Sequence, residues 1–161
     1  MSMYFHFRAI PPAALRNSPA WLEKLFEDGW DAVRERIGRH REEVLDGGYL
    51  DHEHLYADAL PGEGPHTQVV LGGRRIPHRD PSSPPFQLLT AAQTNRVAAY
   101  LATADFEALW RNARADLLKP YEGQDAEPEV RGAFAAAHRD LTAFYGQTAQ
   151  YGDAVVKWLV L

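Results

Sequence analysis

The stretch "GYLDHEHLYADAL", residues 48–60, sets His52 and His54 two positions apart, with Asp51, Glu53 and Asp58 beside them. Imidazole and carboxylate together are ligands for zinc and similar divalent ions, and a metal-bound water is a hydrolytic nucleophile. Geometry decides whether the pair can act as one unit. On a strand, residues two apart share a face and could clamp a single ion; on a helix they diverge. Residues 51–60 read as a helix, with Asp51 at its start, an apolar strip of Leu55, Tyr56, Ala59 and Leu60, and Pro61–Gly62 at its end. That separates the histidines and leaves His54 with Asp58, four residues on and on the same face. Two ligands do not make a tight zinc site, so His66 or His78 would have to complete it. The candidate metal set is therefore His54, Asp58, His66 and His78, against the plainer reading of a solvated polar helix face.

A second pattern, "LGGRRIPHRD", could bind an anion. Gly72 and Gly73 can expose backbone amides beside Arg74, Arg75 and Arg79, and such a turn can cradle phosphate or carboxylate. It lacks the Lys-Ser/Thr ending and following helix of a P-loop, so a hairpin turn with solvated arginines competes with the anion reading. His138 sits between Phe134 and Leu141 on an apolar helix face, where a histidine with one satisfied hydrogen bond is the simplest reading; His6 is read the same way. No G-x-S-x-G elbow, S-x-x-K pair or dinucleotide fingerprint occurs.

The elements that must position these residues follow from periodicity. "MYFHFRAI" alternates as a strand, closed by Pro11 and Pro12. Ser18 and Pro19 open a helix with Trp21, Leu22, Leu25 and Phe26 inward. A further helical stretch carries Trp30, Val33, Ile37 and, beyond a weak point at Gly38, Val44 toward the core. Residues 61–85 form an irregular connection containing a hairpin, "TQVVL" and "RRIPH" around Gly72–Gly73, with Pro77 confining the second strand to an edge. Thr90 and Gln93 make a capping box for the helix of Val97, Ala98 and Leu101. Phe106, Leu109, Trp110, Ala113 and Leu117 mark the next helix, ended by Pro120. Pro128 opens a long helix with Val130, Phe134, Ala137, Leu141, Phe144 and Tyr145 on one face, and Gly152 closes it. "AVVKWLVL" reads as a strand covered on both sides. The four tryptophans read mainly as core mass.

These elements predict one compact α+β domain over residues 1–161, in which about five helices pack on a small mixed or antiparallel sheet made of the N-terminal strand, the central hairpin and the C-terminal strand. A chain of 161 residues with 45% hydrophobic and 24% charged residues is long enough to bury a core. A net charge of -5 disfavours nucleic-acid and anionic-membrane partners. With no cysteine, and with neither a signal-like start nor a long apolar run, the expectation is a cytoplasmic protein.

Five segments in this order resemble the YfbM-like family of bacterial proteins of unknown function: "MSMYFHFRAIPPAAL", "YLDHEHLY", "VLGG", "LTAAQTNRVAAYL" and the ending "LTAFYGQTAQYGDAVVKWLVL". The resemblance implies a small α+β bacterial cytosolic domain and brings no established activity or catalytic residues. The chain departs from that pattern at Glu53, His54 and Tyr56, and has Ala57 where the family tends to place a histidine. Together these readings favour a non-catalytic binding or protein-interaction module over an enzyme, presenting a cleft beside the 61–85 loop to a protein or small-molecule partner and needing no cofactor. The alternative is a metal- or phosphate-dependent hydrolase using histidines and acids near the same loop, with a divalent metal as its cofactor.

Overall fold

The computed structural model describes residues 3–160. Its strands are β1 (Tyr4–Ile10), β2 (Glu42–Asp46), β3 (Arg74–Ile76), β4 (Phe86–Leu89) and β5 (Ala154–Val160); its helices are α1 (Pro19–Lys24), α2 (Trp30–Gly38), α3 (Tyr49–Ala57), α4 (Ala91–Thr103), α5 (Phe106–Leu118) and α6 (Glu127–Gln150). The strands form one antiparallel sheet in the order β2-β1-β5-β4-β3, so the apolar C-terminal strand lies at its centre. The α+β expectation holds, with six α-helices rather than about five.

Strand alternation sorts the two faces. Phe5, Phe7, Ala9, Leu45, Val155 and Leu89 point to one side, where α3, α4, α5 and α6 cover them and make the larger core. Ile10, Ile76, Phe86, Leu88 and Val156 point to the other, against Trp21, Leu22, Leu25 and Phe26 around α1. Full burial of a side chain such as Phe7 contributes on the order of 2 kcal/mol. The expected caps form: Thr90 Oγ1 accepts from the Gln93 amide at 3.1 Å while Gln93 Oε1 accepts from the Thr90 amide at 2.9 Å, and Ser18 caps α1.

Two expectations about the elements themselves fail. Residues 42–46 are a strand rather than the continuation of α2: His40 takes a positive φ of 57°, which ends the helical path, and the following residues pair with β1. Acidic residues in a helix-like pattern hid this, because both Glu42 and Glu43 are buried in the strand. The hairpin around Gly72–Gly73 is also absent. β3 instead pairs across residues 77–85 with β4, a strand not expected from the sequence, while Pro65–Gln68 coils into a 3-10 turn. β3 is nonetheless an edge strand, as Pro77 requires.

Candidate functional site

A cleft of about 650 Å³ lies on the segment that precedes β3. Glu63, Gly64, Thr67, Gln68 and the glycine pair Gly72–Gly73 line it from the segment, and Arg96 lines it from the second turn of α4. Pro65 sets the entry into the 3-10 turn, and Thr67 Oγ1 donates to Gly64 O at 2.8 Å. No regular ladder satisfies the backbone that follows. Side chains from three elements do so instead. Glu53 of α3 accepts from the Leu71 amide at 2.7 Å; Tyr145 of α6 donates to Val69 O at 2.6 Å; Lys157 of β5 donates through Nζ to Gln68 O at 2.7 Å, Gly72 O at 3.2 Å and Leu71 O at 3.5 Å. The cleft floor is thus held rigidly from beneath, because each buried carbonyl or amide left unpaired would cost about 1–3 kcal/mol.

Lys157 is fully buried, on the core face of the sheet between its register partners Phe7 and Gln87. Burial lowers its ammonium pKa to about 7, with Glu53 pulling it back up. Burial in turn raises the Glu53 carboxyl above its ordinary value, against the Leu71 amide and Lys157, which lower it. Each group thus partly offsets the burial cost of the other's charge. Arg96 is exposed, and no acid pairs with it among the described residues.

The candidate anion set is split. Gly72 and Gly73 line the cleft, whereas Arg74 and Arg75 lie exposed on the edge strand and outside its lining. Arg96, 23 positions from Gly73 in sequence, supplies the cation instead. Nothing local in the sequence marked Arg96, because it sits on the solvent side of a well-capped helix. Lys157 was the one signal available for the braced floor: a single charge inside an apolar run.

The metal candidates do not converge. His54 and Asp58 do meet, and Asp116 of α5 joins them, its Oδ2 3.0 Å from His54 Nε2. His66 is buried elsewhere, with Nε2 3.2 Å from Leu60 O. His78 lies on the opposite face of the sheet, where Nε2 is 3.1 Å from Glu23 Oε1 and the ring stacks on Trp158. Among the described residues no group of three or more His, Asp or Glu side chains is arranged to hold a metal ion. The sequence could not reveal this, since no local signal says on which face of the sheet His78 falls.

His54 is instead clamped between two carboxylates. Partial burial acts to lower its pKa, but the hydrogen bonds to Asp58 and Asp116 outweigh that and raise it above 6.5. A raised histidine stabilises the fold below its unfolded pKa and loses that contribution as pH rises through the folded value. An NMR titration is expected to place His54 above 6.5 and Asp116→Asn to lower it; a His54 pKa unchanged by Asp116→Asn would contradict the clamp. His138 matches its simple reading, with Nδ1 2.8 Å from the Tyr56 hydroxyl and a pKa lowered by burial.

An antiparallel sheet between two unequal helical layers, with a cleft on a loop braced by side chains, defines a three-layer α+β domain. The chain belongs to the family described as "Domain of unknown function (DUF1877)", whose model matches residues 1–158. The fold is similar to that of a solved structure described as a protein of unknown function, YfbM, from Escherichia coli, at a TM-score of 0.63 and 14% identity, covering 99% of this chain and 100% of that one. The chain has no match among curated proteins. No helix among the described residues is long and apolar enough to cross a membrane.

Proposed function

We propose that this protein is a non-catalytic binding module whose cleft at the 63–73 segment takes a small carboxylate- or phosphate-bearing molecule. The observation that carries the reading is an unpaired Arg96 beside a preorganised floor, with the buried Lys157 ammonium directly beneath its carbonyls. A rigid site avoids the ordering cost that flexible loops incur on binding. Thr67 and Gln68 add neutral polar groups that orient a ligand, while the Glu63 carboxylate at the cleft works against an anion. A hydrolase reading finds less support. The histidine–carboxylate group at hand, His54 with Asp58 and Asp116, has both ring nitrogens engaged and lines no part of the cleft.

The test is a thermal-shift and calorimetric screen with inorganic phosphate, phosphate monoesters and di- and tricarboxylates. A ligand at about a hundred times its Kd is expected to raise Tm by about 5–10 °C. Arg96→Ala should abolish the response while leaving stability within about 0.5 kcal/mol, because the side chain is exposed. Arg74→Ala and Arg75→Ala should preserve it. If no anion produces a shift, or Arg96→Ala responds like the unaltered protein, the reading fails.

A further inference from the structure

The sheet face turned toward α1 and α2 holds a second cavity, of about 220 Å³, whose walls are Tyr4, His6, Phe26 and Trp30 closed by Val33 and Val160, with Asp28 at its edge. The rings enclose the space at steep angles. Tyr4 meets Trp30 at 73° with centroids 5.2 Å apart, His6 meets Phe26 at 87° and 5.9 Å, and His6 meets Trp30 at 40° and 6.0 Å. The sequence placed Trp30 inward, yet it is 47% exposed, a large apolar ring left facing water at the cavity.

His6 departs from its simple reading as well. It is 6% exposed, and its Nδ1 has no hydrogen-bond partner among the described residues, lying 3.7 Å from Glu42 Oε1. His6 serves the cavity as one of its ring walls.

Asp28 is the one charged side chain in the lining. Arg36 Nη1 is 3.1 Å and Arg8 Nη1 3.7 Å from its Oδ2, and Arg36 Nε also bonds Glu42 Oε2 at 3.0 Å. The two guanidiniums and two carboxylates sum to zero formal charge. Both guanidiniums lie outside the lining, where they fix the carboxylate without occupying the space it faces. What the cavity itself offers is a set of aromatic rings and one carboxylate.

We propose that this cavity binds a methylated ammonium group, either of a small free cation or of a methylated lysine side chain. Such a head group has no strong N–H donor to satisfy. In its quaternary form it carries no N–H for His6 Nδ1. Its attraction comes from the negative faces of aromatic rings and from a nearby carboxylate, and it fits within a space of this size. The site is separate from the anion cleft, so either can fail without the other.

Calorimetric titration tests it, with choline, tetramethylammonium and a trimethyl-lysine peptide set against 3,3-dimethylbutan-1-ol, the uncharged isostere of choline. Saturable binding of the quaternary cations is expected, with the isostere at least about tenfold weaker. Trp30→Ala should weaken binding about tenfold, Trp30→Phe should retain most of it, and Asp28→Asn should weaken it. Tighter binding of the peptide than of choline would assign the group to a protein partner, and the reverse order to a small molecule; both support the site. Absence of binding by every quaternary cation, equal binding of the isostere, or unchanged affinity in Trp30→Ala would overturn it. Should Trp30→Ala fail to fold, the isostere comparison on the unaltered protein decides the matter alone.

Discussion

Lys157→Met is expected to destabilise the protein by about 3 kcal/mol at neutral pH, lowering Tm by about 6–12 °C. Methionine has a similar reach and suits an apolar core, so the loss is not one of volume. The change removes the donor to Gln68 O, Leu71 O and Gly72 O together and leaves Glu53 without its opposite charge. The deficit should depend on pH with a defined sign. Burial holds the folded Lys157 pKa near about 7, below its ordinary 10.5. Between these values the unfolded chain binds a proton that the folded chain does not, so this group makes stability rise with pH across that window. Lys157→Met loses that rise, and the gap between variant and parent should widen by about 2 kcal/mol from pH 7 to pH 9. Urea unfolding at both pH values measures it. A loss below about 1 kcal/mol at neutral pH would show that Lys157 does not hold the loop in this way, and a gap that narrows with pH would show that its folded pKa is raised rather than lowered.

Gly73→Ala should cost a comparable amount, about 3 kcal/mol, for a different reason. Gly73 has φ +107°, and a Cβ there would stand 2.5 Å from Leu88 O and 2.9 Å from Leu88 C. These are backbone atoms of β4, the strand that β3 must pair with, so they cannot swing aside. Gly72 is equally confined, at φ +105° with a Cβ 2.7 Å from Thr67 O. Gly146 supplies the contrast. It lies on the exposed side of α6, where a Cβ meets nothing within 4 Å, and Gly146→Ala should stabilise by roughly 0.5–1 kcal/mol. Denaturant midpoints of the two variants should move in opposite directions; a Gly73→Ala midpoint equal to that of the parent would refute the close approach.

Much of the fold was legible in the sequence because the signals are local. The Thr90–Gln93 box, Ser18 before Pro19, the inward face of α6 and the alternation of β1 each depend on residues a few positions apart. Expectation failed where a distant element supplied the compensation. Glu42 and Glu43 looked like one solvated side of a helix; Glu42 is in fact accommodated in a strand because Arg36 bonds it, and Glu43 stays buried with its carboxyl pKa pushed up to about 7, first by desolvation and then by Asp140. Residues 67–71 looked like a strand because of their β-branched and apolar run Val69–Leu71, yet their backbone is satisfied by Glu53, Tyr145 and Lys157, from three other elements.

By itself, then, the sequence determined an α+β chain with its periodic helices, its caps, a covered C-terminal strand and two glycines at a turn. Tertiary structure alone decided which charges meet. It dispersed His54, His66 and His78, moved the cation of the cleft from Arg74 and Arg75 to Arg96, and set four rings around a cavity beside Asp28. The physical reason is range. Hydrophobic period and capping act within a turn or two of chain, whereas hydrogen bonds and ion pairs act across a few ångströms of space, and only the folded path determines which residues share that space.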